Sequence, residues 1–445
     1  MRVQVLAIVA AAVLAAVELP PPAAARRITW EDIAPVRSRL PASLTASTFA
    51  SRIDALSREA VSRVREGDME HLIHYALQST HFTRLPPIEP AMSARTVVGG
   101  MKNGTTRPGL PPAVDARVSA FLKAVDSSDR DPRLAYFRAL LADAFSGVDR
   151  RTVLTAEYLR VMKFLYDKEF SSRGRPGMTA VLYQTRGLST DTAVEAGYSV
   201  HVGLGVLKAL EPSRRIRRVL IVGPGMDLAP RTGLLEAGPP ESYQPWAVID
   251  ALVSLGLSSV GDLEVVGADI NPRVVDHLRG ARQAPPVLRL ITGLGEGGAV
   301  AFSSDYRDYF TSLGRSVGTI RQGGKAPAGH LAKTVTVSKK AAAILRAEPL
   351  NIVTERLDGE QFDLVIATNI LPYFGQTELL LALSNISAML APGGVLLHNE
   401  LRPSLPEDAA AAGLTVEQSR QVIVATVQDA PPLVDTIWLH RKVAK

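Results

Sequence analysis

Between residues 218 and 227 the chain reads Arg218-Val-Leu-Ile-Val-Gly-Pro-Gly-Met-Asp227, a run of strand formers that stops at two glycines one residue apart. Such a stop is where a parallel strand hands the chain to a bound ligand. Without a Cβ, Gly223 and Gly225 allow a tight turn at positive φ and let a ligand lie against bare backbone amides. A second apolar run, Leu263-Glu-Val-Val-Gly-Ala-Asp269, ends on a carboxylate followed by Ile270-Asn271-Pro272. An acid at the tip of the second strand is the usual clamp for the two hydroxyls of a ribose. Two further segments, Phe362-Asp-Leu-Val-Ile-Ala-Thr-Asn-Ile-Leu-Pro-Tyr-Phe374 and Leu390-Ala-Pro-Gly-Gly-Val-Leu-Leu-His-Asn-Glu400, bring more strand ends to the same crevice.

At 445 residues the chain exceeds a single-core size, so two or three structural units are expected. Hydrophobic residues make up 46% and charged residues 21%, which is the balance of a globular protein rather than a disordered one. The absence of cysteine excludes disulfides, thiolate zinc sites and cysteine nucleophiles. A net charge of +6 is mild for this length, and the run Arg214-Arg215-Ile216-Arg217-Arg218 reads as a solvated helix-to-strand junction rather than a nucleic-acid footprint. Residues 1–25 combine Arg2, an apolar stretch over 5–17 and Pro20-Pro-Pro-Ala-Ala-Ala25, the pattern of a cleaved secretory signal. The expectation is an exported chain, periplasmic or secreted, with no stable membrane span after cleavage; if the segment is not a signal, the chain is cytoplasmic.

The expected fold is α/β: a doubly wound Rossmann-like sheet, mostly parallel with a C-terminal antiparallel hairpin, preceded by a mainly helical N-terminal domain over 26–190. Helical spacing marks 46–80, 114–125, 134–145, 153–165 and 192–210. The α/β domain would run over 191–445, with insertions at about 229–244 and 293–347 that rim the site. Its third strand is read at 350–356 and its final hairpin at 420–427 and 434–440.

Taken together, the glycine strand, Asp269, the strand at Phe362, the turn at Leu390-Ala-Pro-Gly-Gly394 and the terminal hairpin resemble a class I S-adenosylmethionine-dependent methyltransferase over roughly 190–440. The resemblance implies S-adenosylmethionine as cofactor and a small molecule or protein side chain as methyl acceptor. It implies Gly223 and Gly225 against the methionine part, Asp269 on the ribose and Ile270 on the adenine. It further implies Glu355 or Asp358 at the adenine amino group, and Asn369, Ile370 and Leu371 beside the sulfonium. The chain departs from the family in having Ile221 two positions before the first glycine, where an acid is common, and Asp227 is the nearest replacement. Asn369-Ile-Leu-Pro-Tyr373 also departs from the Asn/Asp-Pro-Pro-aromatic run of many amino-group methyltransferases.

For catalysis, His398 and Glu400 share one face of a strand end and are the candidate bases, with Asn399 on the opposite face. The segment 183–191, with Tyr183 and Arg186, is expected to fold over the cofactor as a lid. Tyr243, Trp246 and Tyr373 are the expected walls of a substrate pocket, together with Arg231. His71, one turn before His74, reads as packing rather than as a metal ligand, since no carboxylates stand at matching spacing. Two other readings stay open: an exported, noncatalytic binding or scaffold protein with this fold, and, more weakly, a nicotinamide-dependent oxidoreductase, whose third glycine would fall on Leu228.

Overall fold

In the computed structural model, residues 25–443 are described apart from 106–108, 128–130, 145–146, 173–175 and 230–232. The segment 1–24 of the expected signal, and Arg231, lie outside the described residues. A short strand β1 (Ala25–Arg27) precedes seven helices: α1 (Ala46–Gln78), α2 (Pro90–Lys102), α3 (Pro112–Val125), α4 (Pro132–Ala144), α5 (Arg150–Tyr166), α6 (Pro176–Thr185) and α7 (Val194–Leu210). Helix α2 escaped the periodicity because its start is chemical: Glu89 caps it, its carboxylate accepting the N–H groups of Ala91 and Met92 ahead of Pro90 at the first turn.

From there strands and helices alternate: β2 (Arg218–Val222), α8 (Gln244–Ser254), β3 (Glu264–Asp269), α9 (Pro272–Gln283), β4 (Val287–Ile291), β5 (Val300–Phe302), α10 (Ser304–Ser312), β6 (Gly318–Gln322) and β7 (Ala332–Val337). The chain continues through α11 (Lys339–Ile344), β8 (Leu345–Pro349), β9 (Glu355–Leu357), β10 (Phe362–Ala367), α12 (Gln376–Met389), β11 (Leu390–His398), α13 (Leu405–Ala411), β12 (Leu414–Val427) and β13 (Ala430–Lys442).

The main sheet has eight strands in the order β5-β12-β13-β11-β10-β2-β3-β8. Strands β8, β3, β2, β10 and β11 run parallel, and β13 enters antiparallel between β11 and β12. Strand β2 therefore stands at the point where the order reverses, with β3 on one side and β10 on the other, the place where open α/β sheets bind ligands. Alternate side chains enter two separate cores: Val219, Ile221, Val265, Leu364 and Ile366 on one face, Leu220, Val222, Val266, Val365 and Ala367 on the other.

The third parallel strand is β8 rather than 350–356. Residues 355–357 instead form β9, which pairs antiparallel with β1. Strand β4 leaves the main sheet altogether and joins β7 and β6 in a three-stranded antiparallel sheet, so most of the expected second insertion is an ordered lobe. The terminal hairpin is longer than expected, running from 414 to 442.

Helix α1 ties the halves of the molecule together. Phe49, Ile53 and Leu56 in its first half belong to the core on the α12 face, while Met69, Leu72, Ile73 and Leu77 in its second half belong to the core on the α7–α8 face. Helices α2 to α5 pack into that same second core. Among the described residues, one apolar core takes in side chains from α2 to α5 and from α7 and α8.

Candidate functional site

Strand β2 ends on Val222, and Gly223 (φ +66°) and Gly225 (φ +70°) carry the left-handed turn that follows. Neither position has room for a side chain. A Cβ on Gly223 would stand 2.5 Å from Cγ2 of Ile370, and one on Gly225 would collide with the Thr190 carbonyl and the Thr192 hydroxyl. Asp269, at the end of β3, reaches across to this turn: one carboxylate oxygen accepts the N–H of Gly225 at 3.3 Å and the other that of Asn271 at 2.8 Å. Burial pushes its pKa up to about 6 against those amide bonds, with the Asp68 carboxylate adding to the rise.

The turn, Asp269, Ile270, the 350–353 loop and Thr368, Asn369 and Ile370 open onto one cavity of about 590 Å³. The segment 188–194 covers its glycine side. Thr190 brackets Met226, accepting its N–H at 2.9 Å and donating its hydroxyl to its carbonyl at 2.8 Å. Helix α1 holds this segment through buried polar groups. Gly67 and Gly187 allow backbone-to-backbone approach where a Cβ would strike the other chain segment. The Leu188 N–H donates to the Arg63 carbonyl at 2.7 Å, and the Arg63 guanidinium donates to the carbonyls of Arg186 and Tyr373. Glu70 and Arg186 form a buried ion pair, and Arg186 also donates to the Tyr373 hydroxyl at 3.2 Å. Burial alone would raise the Glu70 carboxyl, but the guanidinium overrides it and holds the group at about 2.

At the other end the cavity is acidic. Asp227 is hydrogen-bonded to Asp191, and burial followed by that neighbouring carboxylate raises its pKa well above the usual range. His71 lies with Nδ1 3.2 Å from Asp191 and accepts the Thr190 N–H at Nε2, while burial lowers its pKa. With Nε2 accepting the Thr190 N–H, a neutral ring would carry its proton on Nδ1, on the side of the carboxylate. Glu241, paired through its backbone with Asp227, accepts the Arg289 N–H at 2.8 Å, and burial pushes it up to about 7. Arg133 is committed to the carbonyls of Leu228 and Gly238 at 2.7 Å each.

Of the residues expected from sequence, Gly223, Gly225, Asp227, Asp269, Ile270, Asn369, Ile370, Tyr183, Arg186, Tyr243 and Tyr373 line this cavity. Four do not. His398 and Glu400 point away from it: His398 is buried, with Nε2 3.0 Å from His440 Nδ1 and the Glu400 N–H donated to its other nitrogen. The β11 alternation that pairs them is correct, but the face turned to the cavity is that of Asn399. Glu355 sits on β9 and accepts the Asn351 N–H at 3.0 Å, so the polar residue lining the end of the third strand is Asn351. Trp246 is a core residue of α8, 2% exposed and in the same apolar cluster as Leu288, Leu290 and Val335.

Glu241, Asn351 and Thr368 line the cavity without having been singled out; Thr190 and Asp191, from the expected 183–191 segment, and Asn399, named for the face opposite the candidate bases, line it too. Ala367 pairs with His398, so Asn369 and Asn399 leave adjacent strand ends nearly side by side.

No family model matches the chain, and no curated protein matches it in sequence. Similar solved structures include the N-methyltransferase NodS of Bradyrhizobium japonicum in complex with S-adenosyl-l-homocysteine, 13% identical, covering 59% of this chain and 96% of its own, at a TM-score of 0.30. The magnesium protoporphyrin IX methyltransferase of Synechocystis with bound S-adenosylmethionine is 8% identical, covering 62% and 93%, at 0.29. A TehB-like S-adenosylmethionine-dependent methyltransferase of Corynebacterium glutamicum is 14% identical, covering 63% and 98%, at 0.27.

Proposed function

We propose that this protein is a class I methyltransferase that binds S-adenosylmethionine in the cavity between β2, β3 and β10 and transfers its methyl group to a small molecule or protein side chain. One observation carries the reading: the buried Asp269 carboxylate and both positive-φ glycines, from neighbouring strands at the reversal of the sheet, face the same cavity. The reversed strand β13 beside β11 agrees with the terminal hairpin on which the resemblance rests. Asp269 takes the ribose hydroxyls, Asn351 and Ile352 border the adenine, and the glycine turn with Asp191 and Asp227 takes the amino-acid end. Bound there, the cofactor supplies an electrophilic methyl on a sulfonium. The protein's part is to hold the acceptor in line and keep water out. With His398 and Glu400 turned away, Glu241 is the lining carboxyl whose pKa, at about 7, suits it to receive an acceptor's proton.

Titration calorimetry of the chain lacking residues 1–25 with S-adenosylmethionine and S-adenosylhomocysteine tests this. Micromolar binding, lost in Asp269→Ala, is expected. Absent binding, with NAD run alongside, favours the noncatalytic scaffold. Export directed by residues 1–25 is a companion proposal, checked by sequencing the amino terminus of the chain recovered from each cell fraction. A cytoplasmic chain that keeps Met1 sinks it.

A further inference from the structure

Asn369 has a left-handed backbone, φ +61°, a conformation it shares with just one other non-glycine residue among those described, Asp429. Asp429 serves the β12–β13 turn. Asn369 serves no hairpin; it lines the cavity where β10 ends. Its backbone is held from the neighbouring strand end. The Asn369 N–H donates to Asn399 Oδ1 at 2.9 Å, and Asn399 Nδ2 donates back to Asn369 Oδ1 at 2.8 Å. Asn399 is itself aligned by Asp435 on β13, 3.4 Å from Nδ2, and Asp435 accepts the hydroxyl of Ser199 on α7 at 2.7 Å. A left-handed residue other than glycine costs free energy and persists where its surroundings enforce it.

We propose that Asn399 is a positioning residue that clamps Asn369 in this conformation and so sets the cavity wall at the reactive end of the ligand. The wall depends on the clamp because the next residue is Ile370, whose Cγ2 comes within 2.5 Å of the place where a Cβ on Gly223 would be. A relaxed Asn369 swings that side chain off the glycine turn or into it. The clamp also engages one of the two lone pairs of the Asn369 carboxamide oxygen. The ligand's identity rests on the methyltransferase reading; the clamp itself does not.

The decisive comparison sets Asn399→Ala against the double variant Asn399→Ala with Asn369→Gly. Glycine adopts positive φ without help, so it removes the need for a clamp. In the ligand-free protein, amide hydrogen exchange across 368–373 is expected to speed up in Asn399→Ala and to return toward the wild-type rate in the double variant. Affinity for S-adenosylhomocysteine is expected to fall about tenfold and to recover likewise, the loss expected for a net hydrogen bond. Asn369→Gly alone is expected to fold and to exchange across 368–373 as the wild type does. Should Asn399→Ala fail to fold, recovery of folding in the double variant is the same rescue. Unchanged exchange in Asn399→Ala, or no rescue by glycine, overturns the proposal. If the wild type binds no S-adenosylhomocysteine, the methyltransferase reading falls and the exchange comparison still decides the clamp.

Discussion

Asp269 is a carboxylate held where charge is costly. Its pKa of about 6 in the fold lies above the ordinary carboxylate value, so the protonated form is the one the fold prefers. The sign follows from linkage: the native state binds the extra proton, and stability is lost as pH rises from about 4 through about 6. A shift from 3.8 to about 6 corresponds to about 3 kcal/mol. Unfolding of wild type and Asp269→Asn at a series of pH values is therefore expected to tilt toward the variant by up to about 3 kcal/mol between pH 4 and pH 7. The same variant is expected to lose ligand affinity at every pH. A parallel pair of stability curves would mean that the fold does not raise the Asp269 pKa above its unfolded value.

At the scale of elements, the segment over the glycine turn is fastened to α1 by buried polar contacts. Its main fastening is the Glu70–Arg186 pair, whose side chains are 1% and 9% exposed. Removing one partner leaves a buried charge, which costs about 3–5 kcal/mol. Arg186→Ala is expected to lower stability by that order in chemical denaturation and to speed hydrogen exchange across 183–192. Slow exchange in the variant would assign the fastening to Arg63 and Thr190 alone. Because the Glu70 carboxyl is held at about 2, the pair stabilises fully above the ordinary glutamate value and is lost as pH falls from about 4.5 toward 2.

Across the whole molecule, α1 decides how the chain behaves. Its 33 residues span about 50 Å. They supply side chains to the cores on both faces of the sheet and, between them, Ala60, Arg63 and Val64 to the cavity. A polypeptide of residues 191–445 would leave both cores open. Calorimetry of the chain from residue 26 is expected to give one cooperative transition, and residues 191–445 alone none; a folded 191–445 with its own transition would restore an independent helical domain.

What the sequence determined by itself is what local chemistry dictates. The β2 run ending on Gly223 and Gly225, the acid at the end of β3 and the terminal hairpin were all legible, because each is a short segment whose strand-forming or turn-forming residues leave one reading. Helices α1, α3, α4, α5 and α7 were legible for the same reason, through their spacing. What the tertiary structure alone decided is pairing over distance. The apolar run 287–291 alternates like a strand but bonds to β7 across an insertion, and the third parallel strand is 345–349 because β3 selects it as neighbour. The choice between Asn399 and His398 was likewise beyond the local pattern: alternation says that they oppose each other, while the register of β11 against β10 and β13 says which one meets the cavity. The acid pair Asp191–Asp227 joins residues distant in sequence, brought together because Gly225 has no Cβ to hold the covering segment away.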